Sequence, residues 1–282
     1  MPERKSANIL VGPAGWSYPD WKGIVYPART SRNFDPLVFI SQYFNTIEIN
    51  VTFYRIPPTG TVLQWCDKVR DRSGFMFTVK AYRGFSHEPE ILSRDDIKAF
   101  NALLDHLNRE EVLGAVLVQF PYRFHQNFEN RKHLIKIKDH LSSWPLVAEF
   151  RHRSWLNPAV LNFLSELNMG FCAVDQPEVS ASLPLMPVTT SSIGYLRCHG
   201  RNRENWFGPD SDRDRRYNYR YSKKELLQIA EVARQMSIRT ERLFVIFNNH
   251  FQGNEIFDAA YLSELMGISR PWPSWWCVNR DE

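Results

Sequence analysis

The sequence has 282 residues, which is enough for one large α/β barrel or two small domains and for a substantial buried core. Its net charge of +4 is mild, so it permits an anionic partner without indicating one. No apolar run approaches membrane-spanning length and no signal-peptide segment is evident, so we expect a cytoplasmic protein without a membrane partner. The four cysteines lack CxxC spacing, which is typical of reduced core residues rather than of a zinc site. The sequence gives no signal for the oligomeric state.

Short apolar runs alternate with helical or irregular segments along the whole chain. The predicted strands begin at Ile9, Thr46, Phe75, Gly114, Leu146, Phe171, Tyr195 and Leu243. The predicted helices begin near Pro36, Thr59, Ser93, Asn127, Asn157 and Ser222, and a last one contains Ile256. Several starts carry capping signals, such as Ser93 with Asp96 and Ser222 with Glu225. The return between the sixth and seventh strands, 177–187, is rich in proline and is predicted to be irregular.

Eight such units in one chain of this length predict a single (β/α)8 TIM-type barrel. We expect one domain over 1–282, with a core of about 9–267 and a tail at 268–282 that is rich in tryptophan and proline. A doubly wound open sheet is the alternative. The lack of a dinucleotide glycine fingerprint after the first strand, and of a Walker loop, counts against it.

The main evidence for a site is the stretch from Leu146 to Trp155, which reads L-V-A-E-F-R-H-R-S-W. It begins as a buried strand and then places Glu149 inside the run. Burying a carboxylate in a β-strand costs free energy unless a cation pairs with it. Arg151 is two residues further on, so its side chain leaves the same face. We therefore expect a buried charged pair at the carboxyl end of this strand.

Polar residues also end most of the other predicted strands, and in a barrel these ends meet at one mouth. We predict Glu149, His199 and Glu48 as the catalytic residues. Glu149 is the leading general acid or base because burial and cations push its pKa in opposite directions, and His199 is the second proton carrier. The predicted ligand-binding residues occupy neighbouring strand ends: Lys80, Gln119, Arg151, His152, Trp155, Asp175, Arg197, Asn248 and Asn249.

Each of these residues also has a structural interpretation, such as an ion pair of Glu149 with Arg151 or Arg197. A metal site is a further alternative, built from carboxylates and imidazoles: Glu48, Glu149, Asp175, His199 and His250. No H-x-H or H-E-x-x-H spacing supports it, and the neighbouring cations would repel a metal ion. We therefore predict no cofactor and no metal ligands, and a divalent metal stays the alternative.

Several motifs together resemble the YecE-like family, also called domain of unknown function 72. They are G-P-A-G-W-S-Y-P-D-W-K-G, F-N-T-I-E-I-N-V-T-F-Y, F-T-V-K-A, L-G-A-V-L-V-Q-F-P, E-F-R-H-R-S-W, L-R-C-H-G-R and F-N-N-H. The resemblance runs from Val11 to about Leu265 and implies a TIM-type barrel. The family has no established activity, so only positions carry over. The motif blocks contain Glu48, Lys80, Gln119, Glu149, Arg151, His152, Trp155, Arg197, His199, Asn248 and Asn249.

The sequence leaves open whether the protein is an enzyme at all. The first hypothesis is an enzyme, such as a hydrolase, acting on a phosphorylated or otherwise anionic small molecule. One alternative is a metal-dependent phosphodiesterase or nuclease that holds a nucleic acid, and the other is a non-catalytic anion-binding module. The long loop 201–221 is predicted to be a lid that closes through Trp206, Tyr217, Tyr219 and Tyr221. A surface loop packed by its own rings is the competing interpretation.

Overall fold

Parallel strands form the centre of the molecule, as the sequence predicts. The structure is a computed structural model, and it describes residues 7–179, 181–204, 206, 216–268, 270–276 and 278. In chain order the strands are β1 (Asn8–Pro13), β2 (Thr46–Ile49), β3 (Met76–Lys80), β4 (Leu113–Gln119), β5 (Leu146–Glu149), β6 (Gly170–Asp175), β7 (Ile193–Cys198) and β8 (Arg242–Phe247). Hydrogen bonds join them in the order β1-β8-β7-β6-β5-β4-β3-β2. The predicted (β/α)8 barrel is therefore confirmed.

The barrel closes where β1 and β2 approach each other. A Cβ placed on Gly12 would lie 1.9 Å from the carbonyl oxygen of Thr46, so no side chain fits between the two strands. Beyond the strand ends, the Asn50 side-chain amide donates to the Ala14 carbonyl at 3.1 Å. Glycine at position 12 is thus required by the close approach of the two backbones.

Helices surround the sheet and begin at the residues that the sequence signals. They are α1 (Pro36–Ile40), α2 (Thr59–Val69), α3 (Arg94–Arg109), α4 (Phe128–His140), α5 (Pro158–Glu166), α6 (Lys223–Ser237) and α7 (Asn254–Leu265). Capping boxes at Ser93 and Ser222 start α3 and α6. Short 3-10 helices occupy Pro19–Trp21, Val51–Phe53, Arg83–Phe85, Pro89–Ile91, Arg153–Trp155 and Phe251–Gly253. Between β6 and β7, the described residues 176–179 and 181–192 contain no helix, which agrees with the irregular return that the prolines predict.

Two apolar layers hold these elements together. Inward side chains of the strands fill the lower part of the barrel, and the rings of Tyr195 and Phe244 pack there with centroids 6.0 Å apart. A second, larger layer lies between the sheet and the helices. Because side chains alternate along each strand, the residues above the inner apolar layer point into the mouth. Glu48 and Arg197 are among them, both almost completely buried.

The described part of the C-terminal tail packs against the first helical region. The rings of Tyr43 and Trp276 lie 4.9 Å apart, and the Trp276 indole donates to the Val25 carbonyl at 2.9 Å. Cys66, Cys172 and Cys198 are free and buried, while Cys277 lies outside the described residues. Within the ranges that the structure describes, no helix is both long and apolar enough to cross a bilayer.

Candidate active site at the carboxyl mouth of the barrel

The guanidinium of Arg197, on β7, is the centre of a buried charge network. It makes a fork to Glu48, with Nη2 donating to Oε1 at 2.6 Å and Nε to Oε2 at 3.1 Å. Nη1 donates to Glu149 Oε2 at 3.2 Å, and Nη2 also donates to Asn248 Oδ1 at 2.9 Å. Residues from β2, β5, β7 and the end of β8 thus meet on one cation. The convergence follows from barrel closure, since these strands are far apart in sequence.

Glu48 is held from two sides. Its Oε2 also accepts from the Tyr195 hydroxyl at 2.7 Å, and that hydroxyl forms a second hydrogen bond with Thr78 Oγ1 at 2.9 Å. Both carboxylate oxygens of Glu48 therefore have donors beneath the mouth. The arrangement fixes Arg197 in place more readily than it presents Glu48 to a substrate.

Glu149 is shared by three partners. Its Oε1 contacts Arg151 Nη2 at 2.7 Å and His199 Nε2 at 3.1 Å, in addition to the Arg197 contact on Oε2. Burial by itself raises the pKa of Glu149, but Arg151, Arg197 and His199 together hold that pKa well below its usual range. Glu149 is consequently an anion that orients its partners.

His199 is buried and hydrogen-bonded at both ring nitrogens. Nε2 faces Glu149, and Nδ1 lies 3.1 Å from Asn248 Nδ2. The Asn248 amide donates at this contact because its oxygen already accepts from Arg197, which assigns the ring proton to Nε2. Burial and then Arg151 lower the pKa of His199 well below its ordinary value. The ring is therefore neutral and connects Glu149 to Asn248.

Arg151 carries the network out to solvent. Besides the Glu149 contact, its Nη1 donates to Gln176 Oε1 at 3.0 Å, and its guanidinium lies 5.8 Å from the Trp206 ring centroid. Its Nε is buried and has no hydrogen-bond partner among the described residues. Arg151 thus keeps one donor unused at the top of the network.

A cavity of about 370 Å³ lies above Arg151, which is large enough for a small organic ligand. Its wall combines cations, amides and aromatic rings: His87, Gln119, Pro121, Tyr122, Arg151, Gln176, Ser182, Trp206, Arg216 and Tyr217. Of the predicted ligand-binding residues, Gln119 and Arg151 line this cavity. Three lining residues were not predicted from the sequence, because they come from loops whose conformations no strand pattern predicts: Gln176, Tyr122 and Arg216.

Lys80 ends β3 beside this cavity. The Phe53 ring connects the two, since its centroid is 4.2 Å from Lys80 Nζ and 4.9 Å from the ring of His87, which lines the wall. Lys80 Nζ has neither a hydrogen bond nor an ion pair within the part of the chain that the structure describes. Burial and the nearby Arg197 lower the pKa of Lys80 to about 7, although Glu48 and Glu149 oppose this shift. Near neutral pH, a substantial fraction of Lys80 is therefore an uncharged amine.

Three predicted ligand-binding residues are not at the cavity. His152 Nδ1 is 2.9 Å from Ser154 Oγ, and its ring stacks on His125. Trp155 is buried and donates from its indole to the Phe124 carbonyl at 2.6 Å. Asn249 points away from the barrel interior and donates to Asp258 Oδ2 at 2.7 Å, because side chains alternate and the preceding residue faces inward. None of the three is among the residues that line the cavity.

Asp175, which was predicted as a ligand-binding residue, also lies outside the Arg197 network. Its Oδ2 contacts Arg201 Nη2 at 2.7 Å, and its Oδ1 accepts from the Tyr221 hydroxyl at 2.7 Å. Asp175 lines a different cavity of about 480 Å³, together with Arg201 and Arg203. An arginine from the loop after β7 thus neutralises this carboxylate outside the Arg197 network.

Ten of the 21 residues of the predicted lid, 205 and 207–215, lie outside the described residues. Of its four aromatic residues, Trp206 and Tyr217 line the 370 Å³ cavity. Tyr219 instead donates from its hydroxyl to Glu225 at 2.6 Å, and Tyr221 is buried. Only half of the four rings therefore face the space that the lid was expected to cover.

These features define a (β/α)8 barrel with a buried charge network and a cationic, aromatic cavity at its carboxyl mouth. A family model described as "Protein of unknown function DUF72" matches residues 10–275, and the chain belongs to this family. The UPF0759 protein YunF of Bacillus subtilis (strain 168) is 29% identical over 274 residues, which cover 92% of this chain and 95% of the relative.

Two crystal structures of DUF72 family proteins share the fold. The Thermotoga maritima MSB8 protein is 30% identical, with a TM-score of 0.81 and coverage of 92% of this chain and 99% of its own. The Enterococcus faecalis V583 protein is 26% identical, with a TM-score of 0.82 and coverage of 93% and 97%. The family description assigns no reaction, so the function must be argued from the site.

Proposed function

We propose that this protein is an enzyme acting on a small phosphorylated or otherwise anionic molecule bound at the barrel mouth. The observation that carries the proposal is the cationic wall of the cavity. Arg197 balances Glu48, and Arg151 contacts Glu149, so the buried carboxylates already have cationic partners. Arg151 and Arg216 line the cavity, and Lys80 Nζ, which is near it, has no acceptor among the described residues. An anion in the cavity would gain charge-assisted hydrogen bonds from the Arg151 guanidinium in a partly desolvated space.

The buried network has a supporting role in this proposal. Glu149 Oε1 forms an ion pair with Arg151 Nη2 at 2.7 Å. The same oxygen contacts His199 Nε2, and Asn248 in turn contacts the other ring nitrogen of His199. A guanidinium fixed in this way loses little conformational freedom when it binds an oxyanion. Glu149 and His199 therefore orient the wall of the cavity, and they affect a reaction through Arg151.

The groups with a suitable pKa for proton transfer near the cavity are Lys80 and His87. Burial, then Lys80 and Arg123, lower the pKa of His87 to about 4, so this imidazole is neutral at pH 7 and able to accept a proton. The pKa of Lys80 is about 7. A general acid or base works best when its pKa is near the working pH, which favours Lys80.

The charge distribution favours an anion over a metal ion. Within the described residues, no group of three or more histidine, cysteine or acidic side chains is arranged to hold a metal. The oxygens of Glu48 and Glu149 face arginines, and removing those contacts to admit a cation would leave the arginines without partners. A metal-dependent phosphodiesterase is accordingly the weaker interpretation of this site.

A non-catalytic anion-binding module is the second candidate. It is favoured by one observation, namely that Glu149 and His199 are fully engaged with each other and with neighbouring side chains. The two candidates differ in what Lys80 does. In a binding module Lys80 is only a cation, whereas in an enzyme its proton or its lone pair takes part in the reaction.

Thermal shift and calorimetric titration with inorganic phosphate, sugar phosphates and nucleotides test the proposed function, with turnover assays on every compound that binds. We expect binding to weaken in the variant Arg151→Ala. Arg201→Ala is the matched control, because Arg201 also pairs with a carboxylate but lines the other cavity. Equal affinities for the two variants would contradict binding at the barrel mouth. Binding without turnover of any tested compound would favour the module.

A further inference from the structure

The amine of Lys80 is held in an unusual position for a lysine. A lysine at a barrel mouth ordinarily reaches into water or pairs with a carboxylate. Lys68 illustrates the ordinary case, since its Nζ lies 2.7 Å from Asp35 Oδ2 at the surface. Lys80 is half-buried, with its Nζ over the face of Phe53 and without any acceptor among the described residues.

The surrounding backbone fixes this position. The Thr52 hydroxyl donates to the Lys80 carbonyl at 2.6 Å, which ties the end of β3 to the 3-10 helix Val51–Phe53. The Lys80 carbonyl and the Phe53 ring therefore belong to one rigid unit. The side chain leaves β3 toward the barrel axis, because the neighbouring inward residue on that strand is Thr78, whose hydroxyl contacts Tyr195 inside the barrel.

The nearest carboxylates act on Lys80 only at a distance. Glu48 is paired with Arg197 and Tyr195, and Glu149 is paired with Arg151, Arg197 and His199. Burial, and then the nearby cation Arg197, therefore lower the pKa of Lys80, which has no carboxylate contact of its own among the described residues. Desolvation next to another cation is a recognised way to turn a lysine into a nucleophile.

We propose that Lys80 is a nucleophilic amine that forms an imine with the carbonyl group of the substrate. The substrate class is then an aldehyde or ketone that also carries a phosphate or carboxylate, with the anionic end at Arg151. The choice of an anionic substrate rests on the proposed function, whereas the nucleophilic amine rests on the position of Lys80 over Phe53, without an acceptor among the described residues, and on its lowered pKa.

The chemistry balances with groups that are present. The lone pair of neutral Lys80 forms a C–N bond as the carbonyl π electrons move to oxygen, and a proton passes from nitrogen to that oxygen. The resulting carbinolamine then loses its hydroxyl group with a second proton as water, and a C=N bond forms. The sum is amine plus carbonyl giving imine plus water, with no oxidant or reductant. The neutral ring of His87 adjoins Phe53 and can carry the proton between the two steps.

Protonation of the imine would place a cation at this nitrogen. The carboxylates Glu48 and Glu149 attract that cation, but burial and Arg197 outweigh them at the Lys80 amine, whose pKa is lowered on balance. The Phe53 ring, 4.2 Å from Nζ, presents its face to the same charge. The two carboxylates and the ring thus offset part of the cost of a cation at this nitrogen.

The experiment is borohydride trapping with two matched probes, glyceraldehyde 3-phosphate and glyceraldehyde, followed by peptide mapping. At pH 7 about half of a lysine with a pKa of about 7 is neutral, against roughly one part in 2,500 for a lysine of ordinary pKa. Allowing for the lower nucleophilicity of a less basic amine, we expect labelling of Lys80 to exceed that of Lys68 by roughly 25- to 50-fold. The rate should rise with pH through about 7 and then level off.

Lys80→Arg is the informative variant, because arginine keeps the charge over Phe53 and cannot form an imine. It should lose the trapped adduct, whereas Lys68→Arg should retain it, and phosphate binding is measured in the parent protein. Phosphate binding with no reduced adduct at Lys80, or with no preference for Lys80 over Lys68, overturns this inference and leaves the proposed function standing. Equal trapping of both aldehydes at Lys80 without phosphate binding keeps the nucleophile and removes the anionic substrate.

Discussion

Replacing Arg197 with methionine tests the buried network, because the change removes the cation and keeps an unbranched side chain. The substitution deletes the fork to Glu48 and the contact to Glu149. Glu149 keeps Arg151 at 2.7 Å, whereas Glu48 keeps only the Tyr195 hydroxyl. The main cost therefore comes from an uncompensated carboxylate at Glu48, and breaking a buried pair in this way costs about 3–5 kcal/mol.

Urea unfolding followed by tryptophan fluorescence, together with thermal scans, measures this cost. A loss of about 3–5 kcal/mol corresponds to a fall in Tm of roughly 6–20 °C for a domain of this size. Adding Glu48→Gln to Arg197→Met should recover part of the loss, because an amide is cheaper to bury than an unpaired carboxylate. Arg201→Met is the control and should cost less, since Arg201 is about a quarter exposed, 27% by side chain, where water screens its pair. A loss for Arg197→Met of less than about 1 kcal/mol, or no recovery in the double variant, would refute the account of the network.

Three further predictions concern other parts of the molecule. Burial raises the pKa of Glu255 well above its ordinary value, so the unfolded chain releases this proton at a lower pH than the folded chain does. The free energy of unfolding therefore falls as pH rises above about 4, by up to about 1.4 kcal/mol per pH unit. Glu255→Gln should gain Tm over the parent between pH 4 and 7, whereas a pH-independent difference would argue against a buried acid. Arg151→Lys should weaken phosphate binding in calorimetry more than Arg201→Lys does, because lysine keeps the charge and loses the planar fork; unchanged affinity would make Arg151 peripheral. Gly12→Ala should reduce the folded yield or Tm severely, since its Cβ would lie 1.9 Å from the Thr46 carbonyl oxygen. Gly60→Ala in helix α2 is the control and should be neutral or stabilising, because its Cβ would have no neighbour within 4 Å. Comparable Tm values for the two variants would contradict the close approach of β1 and β2.

The barrel could be predicted from the sequence because its signals are local and repeated. Eight apolar runs, helix caps such as Ser93 and Ser222, and the proline-rich return each follow from short-range chemistry. The pairing of Glu149 with Arg151 could also be predicted, because side chains alternate along a strand and residues two apart leave the same face. The contact between Arg197 and Glu48 needed only the further assumption that the strand ends converge.

Partners that depend on loop conformation could not be predicted. Asp175 was predicted as a ligand-binding residue, but the loop after β7 brings Arg201 to it. Tyr195 lies in an apolar run, where an aromatic ring is expected to be part of the core. The sequence pattern therefore does not predict its hydrogen bond to Glu48. The state of Lys80 depends on which nearby acids already have partners, and that is a property of the whole assembled mouth.

The central claim is that the mouth of this barrel binds an anion without needing a metal. Calorimetric titration of inorganic phosphate into the purified protein, before and after chelation and dialysis, tests it most directly, with metal analysis of the same samples. We expect one phosphate bound per chain with the same affinity in both samples, and loss of binding in Arg151→Ala but not in Arg201→Ala. A stoichiometric divalent metal whose removal abolishes phosphate binding would contradict it.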